Sequence, residues 1–183
     1  MPASAWADDV LRFWFDETAP EQWFRKDEAF DQALRARFAD TLEKVASLAL
    51  ADCLGDTDTA LAAIIVLDQF SRNMFRGTPR AFSSDPKALR LAQAAIDKGL
   101  DSQVPERIRL FFYLPFEHAE DSAAQARCVT LMARLSDPEL VKWAAAHKAI
   151  IDRFGRFPHR NAILGRSSTA QETDFLAEPG SSF

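Results

Sequence analysis

Hydrophobic residues recur at steps of three and four along almost the whole chain, which is the spacing of amphipathic α-helices. The clearest such segment begins at Asp27 and ends before Gly55. Its apolar face is formed by Phe30, Leu34, Phe38, Leu42, Val45 and Leu48. No segment shows the sustained alternation of period two that is typical of a strand. The pattern therefore predicts an all-α fold of about seven to eight helices, stacked as antiparallel pairs.

Capping residues and helix breakers predict where the helices begin and end. Asp85-Pro86 and Asp137-Pro138 each place a capping carboxylate before a proline in the first turn, and Thr169 with Glu172 has the spacing of a capping box. Pro115 lacks a backbone donor, so we expect it to kink or break an otherwise apolar helix. The other expected starts are Ser4, Pro20, Asp56 and Ser122, and the other expected ends are Gly77, Gly99 and Gly155.

The composition favours a core filled by aromatic rings. The 183 residues include 15 Phe and 4 Trp but 1 Tyr, so most large rings carry no hydroxyl group that needs a partner. We expect one domain with its core at about 5–177 and a short flexible C-terminal tail. No apolar run approaches the roughly 20 residues of a membrane span, no signal peptide is recognised, and two cysteines are too few for a disulfide framework. These features predict a soluble cytoplasmic protein with no membrane partner.

Charge is concentrated in two arginine-rich segments. The net charge of −5 argues against a nucleic-acid partner, because nucleic-acid-binding proteins usually carry a basic excess. Residues 69–84 carry +3 and residues 147–166 carry +4, which leaves −12 on the rest of the chain. The two segments predict either recognition of an anion or pairing with the chain's own carboxylates. The carboxylates considered for such pairing are Asp68, Glu117, Glu120 and Asp121.

The first candidate segment runs from Asp68 to Gly77. Arg72 and Arg76 are four residues apart, so a helix presents both guanidinium groups on one face, with Asp68 one turn earlier. This row is either an internal ladder of ion pairs or a clamp whose carboxylate directs the arginines towards a ligand.

The second candidate segment runs from Tyr113 to Asp121. Glu117 and Asp121 share a helical face, and His118 lies beside them. Desolvation by neighbouring phenylalanines would raise the pKa of such carboxylates and suit acid–base chemistry, whereas a structural role would pair them with the arginines. Glu117 and His118 are adjacent and do not match the Glu-x-x-His spacing of helical metal sites. We therefore predict no metal and no cofactor.

The third candidate segment runs from Phe154 to Asn161. Gly155 allows a left-handed turn, and Pro158 keeps the residue before it extended, so the polar residues here do not continue a regular helix. The loop presents Arg156, His159, Arg160 and Asn161 between two phenylalanines. Guanidinium groups and backbone amides that converge in this way favour an anion site, although phenylalanine anchors alone would also account for an ordered loop.

Three single residues are assigned to the core. His147 lies on the apolar face of its predicted helix, where a hydrogen-bonded structural histidine is more common than a ligand. Cys53 and Cys128 are treated as small buried residues. No nucleophile elbow and no glycine-rich phosphate loop is present in the sequence.

Five ordered motifs include and extend these segments. They are Phe13-Trp14-Phe15, Leu67-Asp68-Gln69-Phe70-Ser71-Arg72-Asn73, Tyr113-Leu114-Pro115-Phe116-Glu117-His118, Phe154-Gly155-Arg156-Phe157-Pro158-His159-Arg160-Asn161 and Leu164-Gly165-Arg166-Ser167-Ser168-Thr169. Together they resemble the bacterial family catalogued as domain of unknown function 924, over nearly the whole chain from Val10 to Leu176. The resemblance implies an all-α fold similar to tetratricopeptide-repeat proteins and implies no established reaction, substrate or cofactor. Phe116 departs from the family, which often has another apolar residue there.

Two functions of different classes follow from these residues, beside a purely structural role for the polar motifs. The first is a binding module for a small anion or for the carboxylate of a peptide or protein segment. Its predicted ligand-binding residues are Trp14, Arg72, Asn73, Arg76, Arg156, His159, Arg160 and Asn161. The second is an enzyme acting on a small anionic substrate. Its candidate catalytic residues are His118 and His159 as proton carriers, with Glu117 or Asp121 orienting the histidine.

Overall fold

The computed structural model describes residues 5–181, and this part of the chain is helical and contains no strand. The predicted cap at Ser4 and the last two residues of the predicted tail lie outside the described residues. The α-helices are α1 (Ala5–Arg12), α2 (Glu28–Ser47), α3 (Thr57–Ile65), α4 (Ser71–Met74), α5 (Asp85–Asp97), α6 (Glu106–Glu117), α7 (Ser122–Met132), α8 (Pro138–Phe154) and α9 (Ala170–Leu176). Apart from α4, all have seven residues or more, so the prediction of an all-α fold with seven to eight helices is confirmed.

Local capping accounts for most of the helix starts. Asp27, Asp56 and Asp137 each accept a hydrogen bond from a backbone N–H of the first turn, as the sequence predicted. Thr169 and Glu172 form the reciprocal bonds of a capping box at the start of α9. Each of these bonds joins residues at most three positions apart, which is why the sequence alone locates them.

The start of α5 differs from its prediction. Ser84 occupies the N-cap position and makes no side-chain cap bond, while Asp85 is the first residue of the helix. The carboxylate of Asp85 binds the guanidinium group of Arg72 instead. The predicted capping role of Asp85 is therefore wrong, because a charged partner brought close by the fold offers this carboxylate a stronger hydrogen bond than a backbone amide.

Of the two effects expected of Pro115, the break is wrong, because α6 continues through this proline and ends at Glu117, and the kink stays a prediction. The side-chain amide of Gln125 donates to the carbonyl oxygens that follow, at 3.2 Å from Phe116, 2.6 Å from Glu117 and 2.9 Å from Ala119. Carbonyl groups at a helix end have no partner within the helix. Gln125 satisfies these carbonyl groups, so the chain ends α6 two residues after the proline.

The chain divides into two compact units, which we describe separately. The first unit comprises the residues up to 76 together with 80–115, and the second comprises 77–79 together with the residues from 116 onwards. The single domain predicted from length and composition stays a prediction.

Aromatic rings fill the first unit. Trp14, Phe38, Phe70 and Phe111 are each at most 1% exposed. The ring centroids lie 5.0 Å apart for Phe38 and Phe70, and 5.4 Å apart for Trp14 and Phe70. Around these rings, α1 packs against α3, and α3 packs against α5. The predicted core of large rings without hydroxyl groups is present in this unit.

The second unit is built on the packing of α7 against α8. Ile150, Ile151 and Phe157 are buried together, and Phe154 and Phe175 pack against them. This cluster joins α8 to the loop that follows it and to α9, so it positions the third candidate segment. Within residues 5–181, no helix is both long enough and apolar enough to cross a bilayer.

The turn at Gly155 gives a first test of this architecture. Gly155 ends α8 with a φ of 69°, a value at which an L side chain is strained. Gly155→Ala is therefore expected to lower the free energy of unfolding by about 1 kcal/mol. Gly55→Ala is the matched control, because Gly55 has no positive φ and both glycines have open space around the added Cβ. Denaturant unfolding should show a change within about 0.5 kcal/mol for the control, and equal losses in the two variants would contradict the backbone explanation.

Candidate functional site

Among residues 5–181, two segments adopt the rare π-helical form, Phe13–Glu17 and Val66–Phe70. Both lie in the first unit, and both carry motif residues that the sequence had assigned to ordinary helices. One widened turn barely alters the hydrophobic spacing, so periodicity could not reveal it. The two segments face each other, because the rings of Trp14 and Phe70 meet at 60° and 5.4 Å between centroids. π-turns are frequent at functional sites, which makes this junction a candidate site.

Arg72 belongs to an internal ladder of ion pairs. Its guanidinium group donates to both carboxylate oxygens of Asp85 at 2.9 Å and to Oδ1 of Asp68 at 3.0 Å. Burial alone would lower the pKa of Arg72, but the charges of Asp68 and Asp85 raise that pKa above its ordinary value. Of the two interpretations that the sequence left open for this row, the ladder describes Arg72. Asp85 is the partner that sequence reasoning missed, since it lies 13 residues further along the chain.

Arg76 is not part of this ladder. Its Nε and Nη2 atoms donate to the two carboxylate oxygens of Asp31 at 2.7 and 3.1 Å. Nη2 also donates to Oδ1 of Asn73 at 3.2 Å. Asp31 is 45 residues away in sequence, so no local spacing indicated the pair. The arrangement places a guanidinium group directly beside a buried carboxamide.

Two buried N–H groups near the π segments have no hydrogen-bond partner among the described residues. They are Nε1 of Trp14, whose side chain is fully buried, and Nδ2 of Asn73, a residue that is 7% exposed. The indole of the adjacent Trp23, by contrast, donates to the carbonyl oxygen of Trp14 at 2.9 Å. Most buried polar atoms in proteins are satisfied, so these two donors are unusual, and in the described part of the first unit they share this property with Nε of Arg109.

In the second unit, Asp121 has a capping role. Its carboxylate accepts a hydrogen bond of 2.7 Å from the backbone N–H of Ala124 and so caps α7. The sequence had offered Asp121 as a group that orients a histidine. An aspartate followed by a helix is itself a cap signal, so the capping role was readable from the sequence. Whether Asp121 also takes part in catalysis stays a prediction.

Arg156 is bound to an acid of its own chain. Its Nε and Nη2 atoms donate to the two carboxylate oxygens of Glu172 at 2.7 and 2.8 Å, and Nη2 also donates to the carbonyl oxygen of Ser167. The hydrogen bond from Arg156, followed by that from the backbone N–H of Thr169, lowers the pKa of Glu172 to about 2. Arg156 therefore connects the loop after α8 to the capping box of α9.

Asn161 belongs to a second hydrogen-bond network of the second unit, which is centred on Arg166. It accepts from Nε of Arg166 at 3.0 Å and donates to the hydroxyl oxygen of Ser168 at 3.1 Å. Arg166 also donates to both carboxylate oxygens of Glu120 at 2.7 and 2.9 Å, and Glu120 accepts from the backbone N–H of Phe157. Burial alone would raise the pKa of Glu120, but the bonds from Arg166 and Phe157 lower it. Glu120 was among the carboxylates considered for pairing, and this pairing is confirmed.

The ring of Phe157 is the centre of the remaining polar residues of the second unit. The rings of His147 and His159 lie 5.8 and 5.7 Å from it between centroids, and the guanidinium carbon of Arg160 lies 4.5 Å from its centre. Arg160, which is 6% exposed, donates to the carbonyl oxygen of His118 at 3.0 Å. Three histidines and one arginine thus come together, although they are up to 42 residues apart in sequence.

His147 is a buried, neutral histidine, as predicted. Its Nδ1 atom lies 2.9 Å from the carbonyl oxygen of Trp143 and 3.8 Å from Oε1 of Glu117. Burial is the main cause that lowers the pKa of His147 to about 4, and the charges of His118, His159 and Arg160 lower it further. With Nδ1 carrying the proton for the carbonyl, Nε2 carries a lone pair in the neutral ring. The structure thus places Glu117 near the histidine that the sequence had assigned to the core.

The predicted site residues fall into two groups. Trp14, Arg72, Asn73 and Arg76 lie in the first unit, and His118, Glu117, Asp121, Arg156, His159, Arg160 and Asn161 lie in the second. That all of them line one pocket stays a prediction. In the described part of the chain, no three His, Cys, Asp or Glu side chains are grouped closely enough to hold a metal ion.

Comparisons with known proteins agree with the motifs. The sequence profile of a family described as "Bacterial protein of unknown function (DUF924)" matches residues 10–180. The fold is similar to that of a protein of unknown function from Agrobacterium tumefaciens, with a TM-score of 0.88, 43% sequence identity and coverage of 93% of this chain and 96% of that one. A comparison with curated proteins found no match. The resemblance seen in the sequence is thus confirmed, and the chain belongs to the DUF924 family of bacterial proteins of unknown function.

Proposed function

We propose that this protein binds a small anion at the Arg160–histidine group, which we define as Arg160, His118, His147 and His159 around the ring of Phe157. The observation that carries the proposal is that the side chains of His147, His159 and Arg160 meet at one aromatic ring, while Arg160 also donates to the backbone carbonyl oxygen of His118. Their charges act together at His147, where they oppose the addition of a proton. Burial is the larger cause of the lowered pKa of His147 and disfavours a charge of either sign, so the support for an anion lies in the positive charges of the neighbouring side chains.

The other arginines of the predicted ligand set are less suited to this role. Arg72, Arg76 and Arg156 each donate to both oxygens of one carboxylate, on Asp85, Asp31 and Glu172 respectively. A ligand would have to displace a carboxylate that the fold already holds in bidentate geometry. For the small anion proposed here, Arg160 with its neighbouring histidines is therefore better suited than these three arginines.

Burial favours a small ligand over an extended chain. Arg160 is 6% exposed, and His118 and His159 are only partly accessible. A peptide would have to bring its flanking backbone to a largely covered set of side chains, whereas an inorganic anion or a short carboxylate needs only a narrow approach. Binding of a peptide carboxylate, and the tetratricopeptide-like groove that would hold it, are the alternative outcome.

The test is calorimetric titration with inorganic phosphate and with acetate at pH 6 and pH 8. A histidine ordinarily gains its charge near pH 6.5, so binding should be tighter at pH 6. His159→Gln and Arg160→Gln should each lower the affinity for the anion by about tenfold or more. This is the effect expected from the loss of one charged hydrogen bond. Arg153→Gln is the matched control, because it removes the same charge from an exposed arginine of α8 that lies over Phe154 rather than Phe157.

The proposal fails if neither anion binds, or if the His159 variant and the Arg153 control bind alike. Peptides that end in a carboxylate, tested in parallel, should not bind more tightly than the small anions. Tighter binding of a peptide would establish the peptide reader in place of the small-anion site.

A further inference from the structure

We infer a second binding site in the first unit, where Trp14, Asn73 and Arg76 hold the carboxylate of an organic acid with an apolar body. The inference does not depend on the proposed function, because it concerns another unit and other side chains. It starts from two buried N–H groups that have no hydrogen-bond partner among the described residues and lie near the π segments, Nε1 of Trp14 and Nδ2 of Asn73.

We infer from the contacts of Phe70 that these two donors extend towards the same side of the π junction. The ring of Trp14 contacts that of Phe70, and Asn73 follows Phe70 by three residues on the helical segment that runs through Val66–Phe70 and α4. Residues three apart on a helix share a face. Asn73 therefore extends from the face of the helix that meets the Trp14 ring.

A second series of contacts connects Trp14 to Arg76. Trp14 also packs against Phe30, with 6.2 Å between ring centroids. The next residue, Asp31, binds Arg76, and Arg76 in turn donates to Oδ1 of Asn73. The indole, the carboxamide and the guanidinium group are thus linked through Phe30 and Asp31 as well as through the helix.

The chemistry of this set determines the ligand class. An indole N–H and a carboxamide NH₂ are donors, so their partner must be an acceptor. The guanidinium group of Arg76 beside them favours a negatively charged acceptor, and a carboxylate offers two oxygens for two converging donors. Arg76 is the one cation in the contacts named above, and Asp31 already offsets part of its charge, which suits a ligand with a single negative charge better than a phosphate dianion.

Aromatic rings next to Trp14 suit an apolar ligand body. Trp14 contacts Phe111 at 6.0 Å between centroids, and Phe24 stacks on Phe111 at 6.3 Å and 16°. Phe24 is 65% exposed, the largest exposure among the bulky apolar side chains of the described residues. An exposed ring above a buried aromatic cluster offers a surface on which an apolar group can pack.

Entry to the site requires a side chain to move. The two donor atoms are covered, while the side chain of Arg76 is 34% exposed. We expect this side chain to swing away from Asn73 when the ligand enters and to pair with the ligand's carboxylate afterwards.

The test is calorimetric titration of the full chain with phenylacetate, and with phenylacetamide and acetate as comparisons. Phenylacetate should bind more tightly than either, because the amide lacks the charge and acetate lacks the apolar body. Asn73→Asp replaces only Nδ2 by an oxygen and preserves the acceptor for Arg76. This variant should lower the affinity for phenylacetate by about tenfold or more, because a hydrogen-bond donor is replaced by a carboxylate that repels the carboxylate of the ligand.

A pair of tryptophan variants separates binding from packing. Trp14→Phe removes an indole N–H that makes no bond in the protein, whereas Trp23→Phe removes one that is bonded to a backbone carbonyl. We expect Trp14→Phe to lower the affinity for phenylacetate. Trp23→Phe should change this affinity by no more than about twofold and should lower the melting temperature.

Three results would overturn the inference: no binding of phenylacetate by the wild-type protein, equal affinity for phenylacetate and phenylacetamide, or unchanged affinity in Asn73→Asp. In the first and third cases the buried donors would face only ring faces of the aromatic core, with no ligand role. These variants change no side chain of the Arg160–histidine group, so titrating them with phosphate as well distinguishes a failure of this inference from a failure of the proposed function.

Discussion

Asp85→Asn is expected to lower the free energy of unfolding by about 3 kcal/mol, because it takes one of two carboxylates from a guanidinium group that is largely shielded from solvent. The side chains of Asp85 and Arg72 are each 17% exposed, and two hydrogen bonds of 2.9 Å join them. Asparagine preserves the shape of the side chain but not its charge. Asp68 would then be the one carboxylate left beside Arg72 among the contacts described above. Urea unfolding of the variant and the wild type measures the loss.

Asp31→Asn is the matched control for this result. It makes the same change from acid to amide, in the same unit, at an arginine that is also bound through two nitrogens. Arg76 is 34% exposed, however, so solvent screens this pair and the expected loss is about 1 kcal/mol or less. Equal losses from Asp85→Asn and Asp31→Asn would mean that burial does not determine the strength of these ion pairs.

Acidification from about pH 6.5 to about pH 4 is expected to cost up to about 3 kcal/mol of stability through His147 alone. The folded pKa of His147 is about 4, against 6.5 for an unperturbed histidine. In this interval the unfolded chain binds a proton and the folded chain does not, so stability rises with pH. The stabilising contribution of neutral His147 is fully present above about pH 6.5 and is lost as the pH falls towards about 4. The groups around His147 are Glu117, His118, His159 and Arg160.

His147→Gln isolates this effect. Its amide can still donate to the carbonyl oxygen of Trp143, but it does not titrate. The variant should lose the pH dependence between about 6.5 and 4.5 and keep the decline at lower pH. That lower decline comes from carboxyl groups whose folded pKa values are lowered, which include Glu120, Glu172, Asp9 and Glu17. Denaturant unfolding at a series of pH values gives both slopes, and an unchanged slope above pH 4.5 would refute the role of His147.

Much of the fold was readable because its determinants are local. The apolar face of α2 was predicted from spacing alone, and Leu34, Phe38, Leu42 and Val45 are buried. The aspartate caps were predicted for the same reason, since a cap bond spans two or three residues. The two π segments were missed because one inserted residue per turn leaves the hydrophobic pattern almost intact.

The partners of the arginines were beyond local reasoning. The sequence placed Asp68, Arg72 and Arg76 on one helical row, and the row is correct for Asp68 and Arg72. Arg76 nevertheless binds Asp31, and Arg72 binds Asp85 as well. Spacing states which residues share a face of one helix, but it does not state which other element packs against that face.

The sequence by itself determined the all-α architecture, most helix starts and the family, and it offered the segments proposed here as sites. Its prediction that the long helix ends just before Gly55 was wrong, because α2 ends at Ser47. Only the tertiary structure decided which side chains in those segments are committed to partners and which N–H groups are left over. The physical reason is range: periodicity and capping act over a few residues, whereas a charge is paired or a donor satisfied by whatever the folded chain brings within hydrogen-bond distance. Arg156 and Arg160 lie four residues apart in one motif. In the folded chain, Arg156 binds a carboxylate on α9, whereas Arg160 lies over the ring of Phe157.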